Sequence, residues 1–478
     1  MKLDVCCGEN DKQVQKGELL DLKSLVNLRG ELYIEVKEFS SNDMPTGTKR
    51  ADILRKARLD TLEIFCRSGP FHEILLEGLC PNHDLSQIVI GGYEGTKLPS
   101  WALMMGTYLP QLVTIKLWGV CKMQHLSSLS ELCHLKSLEL YDMDDFEYIE
   151  GPLMLASRSG ELMTFFPSLE KLRLLSIPEL KGWWRDLVLV EADAATADRF
   201  IDGNGSREQV VIPSFPRLRE LEIEDCPSMT YFPPCPLAKV VKLLGCNKAL
   251  TFCMKEGVPS AVIIASSSSS SSNLLPISVS DTSNSGEPIL FEKLHIDDAG
   301  ILNSLLEEFG RGAVEILIED SGMDSFSVCK LGFQRYCATS LRDLSISECW
   351  NLKSLSGGGI EHLRNLQNLY IDDCYLLDLE EKENMPWKSL HSLSSLSLIK
   401  LPKLVNLPEG LQHVTTLRSL CIQFCKNLKA LPQWLNSLCS LQSIEIRGDG
   451  LHLAQGGNKI VFEEFLKKLE EVGVSLTV

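Results

Sequence analysis

The chain has 478 residues and carries 47 basic against 64 acidic side chains, a formal net charge of −17 at pH 7. Phosphate contact requires a basic surface, so this balance argues against nucleic acid and anionic membranes as partners. The seventeen cysteines contain no Cys-x-x-Cys pair, and no run of eighteen apolar residues exists, which favours reduced structural thiols and no membrane span.

The N-terminal segment, residues 1–58, is the least regular part of the sequence and is predicted to hold an irregular stretch and a first repeat around Leu28, Leu32 and Ile34. Its first ten residues lack an apolar run long enough for a signal peptide, which favours a cytoplasmic location. From Leu59 onward the pattern L-x-x-L-x-L recurs, and its alternation of apolar and polar residues is typical of strands with one buried face. The first block of these repeats is placed at 59–254.

A polar break separates this block from a second one. Residues 255–288 include seven consecutive serines and are predicted to form a disordered loop or hinge, because they cannot bury enough apolar surface to offset their ordering entropy. The second block, 289–458, has the most regular copies, which begin at 341, 366, 393, 417 and 441 and are therefore 25, 27, 24 and 24 residues apart. The clearest copy is defined by Leu341, Leu344, Ile346, Cys349 and Leu352.

The last segment, residues 459–478, is predicted to form an amphipathic helix that caps the repeats. Ile460, Phe462, Phe465 and Leu469 fall on one helical stripe, and a terminal repeat needs such a cover for its core edge.

Fourteen repeat units can be counted, most of them at the spacing of leucine-rich repeats. We therefore predict an α/β fold: a leucine-rich repeat solenoid, or horseshoe, with a parallel β-sheet on its concave face. Irregular or short helical arcs would form the convex side, and the C-terminal capping helix would close the last repeat. In several repeats a small thiol such as Cys349 would fill the turn after the strand.

The sequence shows no motif of an enzyme. It lacks a phosphate-binding loop and the Gly-x-Ser-x-Gly nucleophile elbow. Its close Cys/His groupings, such as Cys80 with His83, do not have the four-ligand spacing of structural zinc. We therefore predict no catalytic residues, no cofactor and no metal site.

The exposed residues of the strands are the candidates for binding. Residues between and just after the buried strand positions face the concave side, where aromatic side chains have no packing role, and Trp and Tyr are common anchors of interfaces. The alternative is that they are tolerated surface residues on a wide face. The predicted partner-binding residues are Trp118, Tyr141, Asp142, Glu222, Glu224, Asp225, Glu348, Tyr370, Asp372, Asp373, Phe424 and Arg447.

Several stretches resemble one family. Residues 98–101, 218–233 and 417–432 resemble the repeats of plant intracellular nucleotide-binding leucine-rich repeat disease resistance proteins of the coiled-coil class, and residues 22–34 look like that class's recurring first segment. The resemblance implies that the repeats sense pathogen effectors or modified host proteins and help to keep the receptor inactive. We expect the chain to lack the family's coiled-coil and nucleotide-binding domains.

The leading prediction is thus a protein-recognition module of plant innate immunity. Its partner would be a pathogen effector or host protein, or a nucleotide-binding domain in the same or a separate chain. The main alternative is a substrate-recognition subunit of a ubiquitin ligase, or another leucine-rich repeat adaptor. It would need an F-box-like helical segment, which residues 1–58 do not convincingly supply. A receptor ectodomain would need a signal peptide and paired terminal cysteines.

Overall fold

The computed structural model describes residues 2–5, 28–36, 57–67, 72–126, 132–150, 166–184, 214–252, 290–379, 387–448 and 473–477, with positions 54, 129, 467, 470 and 471. The chain forms two compact units, of which the first comprises Met1–Ala238 and Gly245–Gly286 and the second comprises Lys239–Leu244 and Glu287–Val478. Lys239–Leu244 lies within the predicted first block, 59–254, and belongs to the second unit. The predicted loop at 255–288 lies outside the described residues.

The first unit is built on parallel strands. Its described strands are β1 (Lys2–Val5), β2 (Arg29–Val36), β3 (Arg58–Cys66), β4 (Gln87–Gly91), β5 (Thr114–Trp118), β6 (Ser137–Tyr141), β7 (Tyr148–Glu150), β8 (Lys171–Leu175), β9 (Gly182–Trp184) and β10 (Glu220–Glu224). Parallel pairing runs from β1 through β2, β3, β4, β5, β6 and β8 to β10, while β7 pairs with β9. Short helices lie in the return segments: α1 (His72–Gly78), α2 (Ser100–Leu103) and α3 (Met105–Tyr108).

The second unit repeats this plan. Its described strands are β11 (Val240–Leu244), β12 (Phe291–Ile296), β13 (Ala313–Glu319), β14 (Asp343–Ser347), β15 (Asn368–Asp372), β16 (Ser395–Ile399), β17 (Ser419–Gln423), β18 (Ser443–Arg447) and β19 (Ser475–Thr477). Each strand pairs in parallel with the next. The return segments contain α4 (Ala299–Phe309), α5 (Lys330–Gly332), a π-helical turn (Phe333–Cys337) and 3-10 turns at Phe326–Cys329, Ile360–His362, Trp387–Ser389, Glu409–His413 and Gln433–Ser437.

Helix α4 is the longest described helix, and its sequence defines both of its ends. The Asp298 side chain accepts hydrogen bonds from the backbone N–H groups of Gly300 at 2.7 Å and Ile301 at 3.1 Å. Gly310 ends the helix in the left-handed conformation at φ 63°. An acidic N-cap is favoured because its carboxylate accepts hydrogen bonds from backbone N–H groups that have no partner within the helix. Glycine is favoured at the C-terminal end because it adopts the left-handed conformation without a steric cost.

The register of the sheet follows the repeat. Leu344 lies opposite Leu369 and Ile346 opposite Ile371, and each of these side chains is at most 1% exposed. Burial of a Leu or Ile side chain stabilises the fold by about 1.5–3 kcal/mol. In a solenoid these side chains are buried against the neighbouring repeats. Each of the fourteen predicted units contains one of the parallel strands, so the predicted fold class is confirmed.

The cysteine that follows several strands has a defined hydrogen-bonding role. The Cys226 thiol donates to the Glu224 carbonyl at 3.3 Å and to the Leu174 carbonyl of the neighbouring strand at 3.7 Å. Burial raises the pKa of the Cys226 thiol to about 12, so the thiol stays protonated and remains a donor at neutral pH. The same position in the clearest copy, Cys349, is fully buried. The small residue therefore links adjacent repeats as well as filling the turn.

The two ends of the chain contribute strands that the sequence analysis did not predict. The predicted capping helix at 459–478 lies mostly outside the described residues, and only positions 467, 470 and 471 are recorded as helical. Its last part is not helical, because β19 pairs with β18 through Ser443 with Ser475 and Ile444 with Leu476. An edge strand leaves backbone N–H and C=O groups unpaired, and a further strand satisfies them where a helix does not.

Candidate partner-binding faces

Each repeat strand turns one row of side chains into the core and the other row outward. Along β14, β16 and β17 the residues alternate between buried and partly exposed, which is the pattern of a sheet with one accessible side. We call the accessible side of β2, β3, β4, β5, β6, β8 and β10 the first strand face. The accessible side of β11 to β18 is the second strand face.

The residue directly after most repeat strands has a left-handed backbone, a conformation that favours Gly, Asn and Asp. These residues are Gly92, Gly119, Asp142, Ser176, Asp225, Gly245, Asp320, Glu348, Asp373, Lys400, Phe424 and Gly448, with φ between 48° and 96°. The predicted binding residues Asp142, Asp225 and Asp373 thus have a backbone reason for their identity, which the apolar pattern did not reveal. The left-handed backbone does not explain the presence of Glu348 or Phe424 at this position.

Three predicted residues come together on the first strand face. Trp118 is 50% exposed and lies beside Tyr141 in the register. The Trp118 indole N–H donates to Asp142 Oδ2 at 2.6 Å. Along the same row Leu175 separates Tyr141 from Glu224, so Glu224 and Asp225 lie apart from this group.

A row of alternating charges crosses the same face. Glu139 is only 5% exposed and lies 3.4 Å from the Lys116 ammonium and 4.0 Å from the Arg173 guanidinium. Arg173 also pairs with the predicted residue Glu222 at 2.7 Å, and Tyr141 donates its hydroxyl proton to Glu139. Glu222 is therefore already paired with a neighbour on the same face. Glu139 is the centre of the network, and it was not among the predicted binding residues.

The network shifts the pKa values of its members. Burial alone would raise the pKa of Glu139, but the hydrogen bond from Tyr141 and the neighbouring Lys116 outweigh it, so the pKa is lowered. Burial, and then the hydrogen bond to Glu139, raise the pKa of Tyr141 to about 12. Both shifts keep Glu139 ionised and Tyr141 protonated over the neutral pH range.

Glu139→Gln is expected to lower the free energy of unfolding by roughly 1–3 kcal/mol at pH 7. The folded-state pKa of Glu139 lies below its unfolded value, so ionised Glu139 stabilises the fold above the unfolded pKa, and this contribution is lost as the pH falls through the folded pKa. The urea midpoints of the two proteins should therefore converge as the pH is lowered from 7 to 3. Glu170→Gln, which removes an exposed ion pair with Lys136 at 3.4 Å, is the control and should cost less than about 1 kcal/mol. A loss from Glu139→Gln that does not change with pH would contradict this account.

On the second strand face, Tyr370 lies between Ser345 and Ser397 in the register. Its hydroxyl donates to Asp372 Oδ2 at 3.4 Å. The Lys400 ammonium is 3.8 Å from Asp372 and 3.5 Å from Asp373, and these two carboxylates raise the pKa of Lys400. The structure thus brings together three predicted residues and one lysine that was not predicted.

Further along this face, Phe424 is 45% exposed. Its ring lies over Gly448, where an added Cβ would be 2.5 Å from the Phe424 ring. Arg447 pairs with Glu445 at 2.7 Å. The prediction also missed Trp350 and Tyr375, which are 52% and 54% exposed. Trp350 directly follows Cys349, and Tyr375 directly follows Cys374 in the next repeat. Their identical position in neighbouring repeats was the signal available in the sequence.

Within the described residues, no three His, Cys, Asp or Glu side chains are grouped to hold a metal ion. No helix in the described part of the chain has the length and apolar character needed to cross a membrane.

Comparison with known families identifies the type of repeat. A family model described as R13L1/DRL21 LRRs matches residues 19–143. A second, described as Plant disease resistance protein RPS2-like, leucine-rich repeats, matches residues 313–448. These two matches, over residues 19–143 and 313–448, support a leucine-rich repeat region of the plant disease resistance type. Repeat families of this kind are typical of non-enzymatic protein-interaction modules.

Individual proteins agree with this assignment. Two proteins of Solanum bulbocastanum with disease resistance in their names are similar: RGA1 is 33% identical over 173 residues and RGA2 is 30% identical over 226 residues. The alignments cover 35% and 46% of this chain but only 16% and 20% of the two relatives, so the chain spans at most a fifth of their length. An internalin from Listeria monocytogenes is 11% identical with a TM-score of 0.28, over 92% of this chain and 87% of that one, which is too low a score to support an argument.

Proposed function

We propose that the two strand faces recognise proteins in plant innate immunity, and that they sense a pathogen effector or a modified host protein. The observation that carries the proposal is the exposed ring of Phe424 on a left-handed backbone. Its ring is 45% exposed, and its backbone has a φ of 55°, a conformation that costs a bulky residue about 1–2 kcal/mol. Neither the core nor the backbone gives a reason for phenylalanine at this position, whereas binding to a partner does.

The rest of the two faces supports the same function. Trp118 and Tyr370 lie on strands that are held in register on both sides, so their side chains are presented on a rigid support. Exposed aromatic residues beside charged groups are typical of the residues that dominate binding energy at protein interfaces. Parallel repeats also present them over an extended surface.

The proposal also covers how the repeats are regulated and where they act. In a receptor that also contains a nucleotide-binding domain, the repeats would contact that domain and keep it inactive until a partner binds. This would take place in the cytoplasm, where thiols stay reduced. Nine of the fourteen described cysteines are buried, as is typical of structural thiols.

Phe424→Asn is expected to separate binding from folding. Asparagine adopts the left-handed conformation more readily, so the free energy of unfolding should stay the same or rise by up to about 1 kcal/mol. Binding to a partner found with the wild-type chain should weaken tenfold or more, measured by calorimetry. Leu331→Ala is the matched control, because Leu331 is 74% exposed on α5, away from the strands. Equal affinities for the two variants would count against the second strand face.

A further inference from the structure

Three aromatic rings from three strands form a contiguous row on the first strand face. Tyr33 of β2 stacks on Phe65 of β3 with ring centroids 5.2 Å apart and an interplanar angle of 27°. Phe65 meets Trp118 of β5 edge to face, at 6.1 Å and 69°. We call Tyr33, Phe65 and Trp118 the aromatic platform.

Strand β4 lies between β3 and β5 and leaves room for these rings. Gly91 is paired with Phe65 on one side and with Trp118 on the other. A Cβ at Gly91 would lie 2.6 Å from Phe65 Cδ1 and 3.3 Å from Trp118 Cε3. The two rings therefore rest on the bare backbone of β4, and half of the Trp118 surface remains open to solvent.

Carboxylates border the platform. Glu63 precedes Phe65 by two residues on β3 and so lies on the same face. At the other side, Asp142 is fixed by the indole of Trp118, which occupies only Oδ2 of the carboxylate. The nearby cations are already engaged, since Lys116 pairs with Glu139 at 3.4 Å and Arg67 with Glu35 at 2.6 Å. The platform thus combines partly exposed aromatic rings with negative charge at its edges.

We propose that the aromatic platform binds an arginine side chain of the partner protein. A guanidinium group is planar, stacks on aromatic faces and pairs with carboxylates through a fork of N–H donors, whereas a lysine ammonium is a compact and strongly hydrated charge. The inference rests on the proposed function, because it names the chemistry of the partner at one part of the first strand face.

The test uses four fluorescein-labelled Gly/Ser nonapeptides that carry three arginines, three lysines, three citrullines or three norleucines. Citrulline keeps the shape of arginine without its charge, norleucine represents an apolar anchor, and lysine measures the general attraction of cations to a chain of charge −17. Fluorescence anisotropy at fixed salt should show the arginine peptide binding about threefold to thirtyfold more tightly than each of the others. Equal binding of arginine and lysine, or tighter binding of norleucine, would overturn the inference.

Variants locate the binding on the platform. Trp118→Ala and Phe65→Leu should each remove the preference for arginine, and Gly91→Ala should reduce it by displacing the rings while keeping them. Met104→Ala removes an apolar side chain of similar exposure from the return segment between α2 and α3 and should change nothing. Melting curves of all four variants show whether each is folded. If the preference survives Trp118→Ala and Phe65→Leu in folded protein, the platform is not the site.

Failure of this inference can be distinguished from failure of the proposed function. If arginine is not preferred but an authentic partner still requires Trp118, the inference about arginine is wrong and recognition by the strand face stands. If a partner binds without any contribution from the strand faces, the proposed function itself is wrong.

Discussion

Gly92→Ala is expected to destabilise the first unit by about 4 kcal/mol or more, an effect in the range of severe backbone or core defects. Gly92 follows β4 with a φ of 66°, and an added Cβ would lie 2.1 Å from the carbonyl oxygen of Cys66. Because this oxygen belongs to the backbone of β3, the clash can be relieved only if β3 and β4 move apart. The left-handed conformation adds about 1–2 kcal/mol for alanine.

Gly119→Ala is the matched control for this prediction. Gly119 occupies the same position after β5 with a φ of 63°, and its N–H also bonds to the next strand, at 3.0 Å to the Tyr141 carbonyl. The nearest atom to its added Cβ is 3.5 Å away, so only the conformational cost of about 1–2 kcal/mol remains. Amide hydrogen exchange in β3, β4 and β5 is the appropriate measurement, because a repeat array does not unfold as one two-state unit. Equal losses in the two variants would show that the contact with Cys66 is not the cause.

Leu344→Asp is expected to cost the second unit about 4 kcal/mol or more. Leu344 is 1% exposed and lies between Ile316 and Leu369 in the register. Deleting a buried leucine side chain costs about 2–5 kcal/mol, and an unpaired buried carboxylate adds to that loss. Because repeats stabilise their neighbours, hydrogen exchange should accelerate in β13 and β15 as well as in β14.

Ser345→Asp, one residue further along β14, is the control. Ser345 is partly exposed on the second strand face, so its replacement should change the free energy of unfolding by less than about 1 kcal/mol. A larger loss from Ser345→Asp than from Leu344→Asp would mean that the two faces of the strand have been assigned the wrong way round.

The strands and their register were predictable because they depend on a local pattern. Alternating residues such as Leu344 and Ile346 bury one face, and a return of 24–27 residues brings the next copy alongside in the same register. The terminal strands β1 and β19 were not predictable in this way. They are three or four residues long, and their pairing with β2 and β18 depends on an open sheet edge rather than on a repeat of their own.

The composition of the faces was predictable only in part. Alternation identified Trp118, Tyr370 and Phe424 as strand-face residues, but it gave no indication that the residue after a strand is left-handed, which accounts for Asp142 and Asp373. The aromatic platform depends on contacts across three strands and on the missing side chain of Gly91. A linear pattern does not encode such a contact.

The most direct test of the account is hydroxyl-radical footprinting of the chain with and without a bound partner. We expect protection of strand-face residues, above all Trp118, Tyr370 or Phe424. Met104 and Leu331, which are 51% and 74% exposed on the return segments, should be oxidised at unchanged rates. Protection of Met104 or Leu331, with unchanged oxidation of all three aromatic residues, would place the partner away from the strand faces and contradict the account.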